Sequence, residues 1–142
     1  MMIDDYVLYA DDDEDDRFFL SLSFEKNVFD KHLEAVSSGN ELLKFLENHK
    51  DQKGLPCLII LDQKMNGLQG EEVLGILKND DRYRHIPVVM FTTSHHFNNT
   101  ALLDEYEVGV EIKPDILEDW ETIALKLLEH CEAFKNKTNN YS

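Results

Sequence analysis

Carboxylates dominate the reactive residues of this chain. Asp11, Asp12 and Asp13 open an acidic run that continues to Asp16, and Asp62 closes a short apolar run. Thr92, Thr93 and Ser94 close another, and Lys113 stands before Pro114. Carboxylates brought together repel one another, and a divalent cation relieves that repulsion. A donor set made only of oxygen favours magnesium, which takes one or two carboxylates and keeps several waters. A carboxylate, a hydroxyl, an ammonium and such a cation together suit phosphoryl transfer, where the protein positions the donor and neutralises charge on the equatorial oxygens. A carboxylate nucleophile then carries the group as an acyl phosphate. Each residue also has a plainer role open to it. Acidic residues favour the positive end of a helix dipole, which suits Asp13, Glu14, Asp15 and Asp16; threonine favours strands, and Lys-Pro pairs favour loops.

What gives the set weight is the pattern of elements that would position it. Residues 6–10, 33–36, 57–61, 88–92 and 110–113 are short, apolar or β-rich, and bounded by turn or charged residues. Between them lie helical periodicities, with Phe18, Phe19 and Leu22 on one face of the first. Leu42, Leu43 and Leu46 mark the second, Val73, Leu74 and Leu77 the third, and residues 101–106 a short fourth. Trp120, Ile123, Ala124, Leu127, Leu128 and Cys131 mark the fifth. Five alternating βα units predict an α/β fold, a doubly wound five-stranded parallel sheet with helices on both faces. Strands reading CLIIL and PVVMF suit burial on both sides. Ligands of such sheets bind outside the carboxyl ends of the strands, where the acidic, hydroxyl and lysine residues fall.

The 142 residues suffice for one core, expected over residues 1–136 with a polar tail at 137–142. A net charge of −15 argues against nucleic acid and anionic membranes as partners. No apolar stretch is long enough to span a bilayer, and the N-terminus has no basic lead before an apolar region. Cys57 and Cys131, far apart in sequence and at apolar positions, are expected to be reduced core thiols of a cytoplasmic protein.

The ordered segments VLYADDD, LIILDQKM, VVMFTTS and VEIKP resemble the receiver domain of two-component response regulators, over roughly residues 6–134. That resemblance implies the flavodoxin-like strand order 2-1-3-4-5 and phosphorylation of Asp62 by a histidine kinase or a histidine phosphotransfer protein. It implies Mg2+ bound by Asp11, Asp12 and Asp62 with the backbone carbonyl of Lys64. It also implies that Lys113 pairs with the phosphoryl oxygens and that the Thr92 hydroxyl swings to bond one of them. Such domains hydrolyse their own acyl phosphate but turn over no other substrate. Three positions depart from the family's pattern. Asn66, followed by Gly67, replaces a proline; Lys64 replaces a neutral side chain; and Val110 replaces the aromatic three residues before the lysine, whose rotation reports phosphorylation. Phe97, in the segment 94–98 after the fourth strand, is the large apolar side chain nearest to take over that role.

Two other readings use the same residues. A haloacid-dehalogenase-type phosphohydrolase would use Asp11 and Asp13 as nucleophile and acid, but Asp15 stands where that family has threonine or valine, and the chain has no room for a substrate-covering cap. A receiver-fold binding module independent of phosphorylation would not need Asp12, Asp62, Thr92 and Lys113 together. A calcium loop at Asp11, Asp13 and Asp15 is excluded, because Asp16 and Leu22 stand where glycine and glutamate belong. Adjacent His95 and His96 project in different directions on most backbones and do not suggest a metal site.

Overall fold

A computed structural model describes residues 6–26, 32–49, 51, 54–93 and 100–139. The segment 94–98, with His95, His96 and Phe97, lies outside the described residues. Five strands alternate with five helices: β1 Tyr6–Ala10, α1 Glu14–Lys26, β2 His32–Val36, α2 Gly39–His49, β3 Leu58–Asp62, α3 Gly70–Lys78, β4 Val88–Thr92, α4 Thr100–Glu105, β5 Gly109–Ile112 and α5 Asp119–Asn139. The strands pair in parallel in the order β2-β1-β3-β4-β5, as expected.

The pleat divides the apolar strands between two cores, because successive side chains point to opposite faces. Tyr6, Leu8, Ile59, Leu61, Val88 and Met90 pack with Leu42, Leu46, Val73, Leu74, Leu77 and Leu103 under α2, α3 and α4. Val7, Tyr9, Leu58, Ile60, Val89 and Phe91 pack with Leu20, Phe24, Trp120, Ile123 and Leu127 under α1 and α5. The Phe91 and Trp120 rings meet edge to face at 5.8 Å, a geometry worth about 1 kcal/mol beyond the area it buries.

Helix α5 runs through Asn139. Two expectations need correction. Helix α1 turns Leu20, Ser23 and Phe24 inward and leaves Phe18 60% exposed, so its buried stripe is not the Phe18, Phe19, Leu22 face. The cysteines are not reduced thiols: Cys57 and Cys131 form a disulfide, with Cα atoms 5.7 Å apart. Cys57 leads into β3 on the side that α5 covers, so the fold brings together residues 74 positions apart.

Candidate functional site

Strand parity sorts the reactive side chains at the carboxyl edge of the sheet. Asp11 continues the Val7–Tyr9 row and Asp62 the Leu58–Ile60 row, so both emerge on the α1/α5 side. Lys113 follows β5, its backbone N–H bonded to the Thr92 carbonyl at 2.8 Å. Its Nζ lies 2.7 Å from Asp11 Oδ2, 2.9 Å from Asp16 Oδ2 and 3.3 Å from Asp62 Oδ1. With its side chain 5% exposed, this ammonium is screened little by water, so its attraction to the three carboxylates is stronger than in a surface pair while the desolvation of all four groups opposes it.

Asp11 is wholly buried and fully engaged. The Tyr9 hydroxyl donates to Oδ2, the Asp13 N–H donates to Oδ1 at 2.9 Å, and Arg17 Nη1 donates to the Asp11 carbonyl at 2.7 Å. Asp12 is exposed and accepts the Asn66 N–H at 3.1 Å, which ties the turn after β3 to the turn after β1. Gly67 provides that turn with φ +81°, a left-handed conformation that glycine adopts without a Cβ clash. Gly70 has no room for a side chain, since a Cβ would overlap the Asp62 carbonyl oxygen and lie 2.8 Å from Met90 Cε. Asp13 caps α1, accepting the Asp16 N–H at 3.2 Å.

The crowding shows in the proton affinities. Burial and the Asp11 charge raise Asp62 from its ordinary 3.8 to about 7, against the pull of Lys113. Burial works to lower Lys113, but its bonds to Asp11 and Asp16 and the field of Asp62 carry it above its ordinary value. Burial, then the charge of Asp11, holds the Tyr9 phenol well above its usual range, so it remains a donor.

Asp11, Asp12 and Asp62 each offer an oxygen within 4.8 Å of the others, an all-oxygen set that fits a hard divalent cation. A cavity of about 210 Å³ opens beside them, lined by Asp12, Asp16, Asp62, Lys64, Thr92 and Lys113. The fold thus gathers every proposed site residue along one edge. Lys64 is exposed at the cavity rim. Thr92 turns its hydroxyl elsewhere, donating to Gln63 Oε1 at 3.2 Å.

Three contributors were not anticipated. Asp16 suits the helix dipole by sequence, yet it also holds Lys113; its place four residues before Leu20, on the buried stripe of α1, is the signal that marks it. Tyr9 shares the row of Asp11 and could be read from strand parity. Gln63, 9% exposed, carries no local signal beyond being a polar residue directly after a buried strand.

This is a doubly wound α/β fold with an acidic pocket at the carboxyl edge of its sheet. A family model described as "Response regulator receiver domain" matches residues 7–111, and the chain belongs to that family. It is 32% identical over 89 residues to the probable methanogenesis regulatory protein FilR2 of Methanothrix harundinacea, covering 62% of this chain and 57% of that one. It is 28% identical over 106 residues to the response regulator Rcp1 of Synechocystis, covering 73% and 71%. The crystal structure of the Mn2+-bound form of Rcp1 superposes with a TM-score of 0.73 at 25% identity, covering 84% of this chain and 88% of that one. The chain is therefore a phosphoacceptor signalling domain, a class that receives phosphoryl groups from histidine kinases or phosphotransfer proteins. The dehalogenase alternative is not favoured: Asp11 is wholly buried against Tyr9 and Lys113, and Asp13 is occupied as a helix cap. Among the described residues no helix is long and apolar enough to cross a membrane.

Proposed function

We infer that Asp62 is the phosphoacceptor, taking a phosphoryl group from a phosphohistidine of a kinase or phosphotransfer protein with Mg2+ as cofactor. The observation that carries this is the placement of Asp62 beside Lys113, Asp11 and Asp12 in a cavity open to solvent. In the transfer an Asp62 carboxylate oxygen forms a bond to phosphorus as the histidine nitrogen–phosphorus bond breaks. Asp11, Asp12, Asp62 and the Lys64 carbonyl would hold the cation, which supplies charge neutralisation at the transferring oxygens. Lys113 provides the second positive charge, and its bonds to Asp11 and Asp16 keep it at the cavity when Asp62 is phosphorylated. The Thr92 hydroxyl is the third group available to the phosphoryl oxygens.

The protein acts as a signalling domain with self-phosphorylation and self-dephosphorylation chemistry only, spanning residues 1–136, with 137–142 as a polar extension. Its net charge of −15 supports basic protein surfaces as partners rather than nucleic acid or anionic membranes. A cytoplasmic location is supported by the donor, since histidine kinases draw on ATP; the cysteines, being paired, lend it no support. Intact mass spectrometry after treatment with acetyl phosphate and Mg2+ tests the assignment. Wild type gains one base-labile phosphoryl mass, and Asp62→Asn gains none. A labile phosphoryl group on Asp62→Asn would place the acceptor elsewhere.

A further inference from the structure

Asp62 and Gln63 are consecutive, so the pleat sends them to opposite faces of the sheet. The last paired residues of β3 and β4 are Asp62 and Phe91; one step further, Gln63 stands beside Thr92. Both continue the rows that face α2, α3 and α4, namely Ile59–Leu61 and Val88–Met90. There the Thr92 hydroxyl donates to Gln63 Oε1 in a buried bond, with Thr92 3% and Gln63 9% exposed.

A hydroxyl has one proton to donate. If Thr92 is to donate to a phosphoryl oxygen on Asp62, it must first give up Gln63. We propose that Gln63 is a positioning residue for the switch: it latches the Thr92 hydroxyl away from the phosphoacceptor in the resting protein and releases it on phosphorylation. The exchange is favoured only when a charged acceptor appears, because hydrogen bonds to ionised oxygens are roughly twice as strong as neutral ones. Release leaves Gln63 Oε1 without that donor on the α2/α3/α4 side, which carries the event from the phosphorylated face to the opposite one. Val110, the small side chain at the usual aromatic position, is 36% exposed and offers no ring to do so.

The proposal rests on Asp62 as acceptor and Thr92 as its responding hydroxyl. Beryllofluoride with Mg2+ serves as the phosphoryl mimic, titrated onto wild type, Gln63→Met, Thr92→Val and the double variant. A neutral buried hydrogen bond is worth about a fivefold factor in an equilibrium, so Gln63→Met should bind the mimic about fivefold more tightly than wild type. In the Thr92→Val background the same change should leave the affinity where it was. An equal gain in that background, or no gain in wild type, overturns the latch. A second readout needs no change at Gln63. The Gln63 side-chain amide signals in NMR should move together with the Thr92 methyl signal when the mimic binds wild type, and stay in place in Thr92→Val. Amide signals unmoved in wild type also overturn it. Failure of wild type to bind the mimic at all would instead strike the acceptor assignment beneath it.

Discussion

Removing the Asp62 charge should stabilise the metal-free protein, by an amount set by pH. Below about pH 4 the carboxyl is protonated in both the folded and unfolded chain, so it contributes no pH dependence. As pH rises from 3.8 toward about 7 the unfolded chain releases the proton while the folded protein, with Asp62 raised by burial and Asp11, retains it. The folded state then binds more protons than the unfolded one, so stability falls with rising pH through that window and levels off above it. A rise from 3.8 to about 7 sets a ceiling of about 4 kcal/mol at 1.36 kcal/mol per pH unit. Rearrangement of Asp11 and Lys113 relieves part of it, so about 2–4 kcal/mol is expected for Asp62→Asn at about pH 8. For a domain of this length that is a melting increase of about 6–12 °C. Thermal unfolding of both proteins in EDTA, from near pH 4 to about pH 8, measures the difference. It should be close to zero at the acid end and grow toward neutrality, and Mg2+ should reduce it by stabilising wild type alone. A variant equally stabilised at every pH, or less stable than wild type near pH 8, would refute an electrostatic origin.

Asp12→Asn removes an exposed oxygen ligand, so the melting shift produced by Mg2+ should shrink at least severalfold while the metal-free fold persists; titration of the shift checks this. Gly70→Ala forces a methyl against the Asp62 carbonyl, and should cost about 1–3 kcal/mol and slow acetyl-phosphate labelling through displacement of the acceptor; denaturant melts and mass spectrometry read the two effects. Reduction of the Cys57–Cys131 bridge frees a loop spanning 74 residues and should lower stability by about 4 kcal/mol on the chain-entropy account, measured as a fall in midpoint on adding dithiothreitol that is absent in Cys57→Ser/Cys131→Ser.

The parts of this fold that could be read from the chain are those whose residues bury on two faces or repeat at helical spacing. β3 and β4 are apolar up to their last residues, Asp62 and Thr92, because both faces are covered, and the α5 residues at i, i+3, i+4 and i+7 are all buried. Helix α1 misled because its aromatic pair is more conspicuous than its true stripe. Phe19 packs partly on Trp120 while Phe18 lies out in solvent, and Leu20 and Phe24 make the contact with the sheet. Asp16 is a carboxylate in phase with that stripe, four residues before Leu20. The disulfide was hidden for another reason. Strand parity would put Cys57 on the Ile59–Leu61 side, but the residue precedes β3 and packs in the opposite core with Leu58 and Ile60; the rotation and height of α5 against the sheet are likewise set by long-range packing, which no local pattern encodes.

The same parity that made the strands legible separates the site's chemistry from its readout. Asp11, Asp62 and Lys113 share the α1/α5 face, and the α1 residue Asp16 reaches them because that helix covers their side. Gln63 and Thr92 share the other face, under the core that α2, α3 and α4 complete. Charge added at Asp62 therefore acts first where Lys113 is already committed to two other carboxylates and has little freedom to move. Thr92 is different: its backbone is fixed by β4 while its hydroxyl has a neutral partner it can leave. On the latch proposed above, its hydroxyl would exchange Gln63 Oε1 for a charged phosphoryl oxygen, an acceptor of unequal strength. A two-state element needs such a choice, and the proposed latch gives it to Thr92 and Gln63 rather than to the residue at position 110.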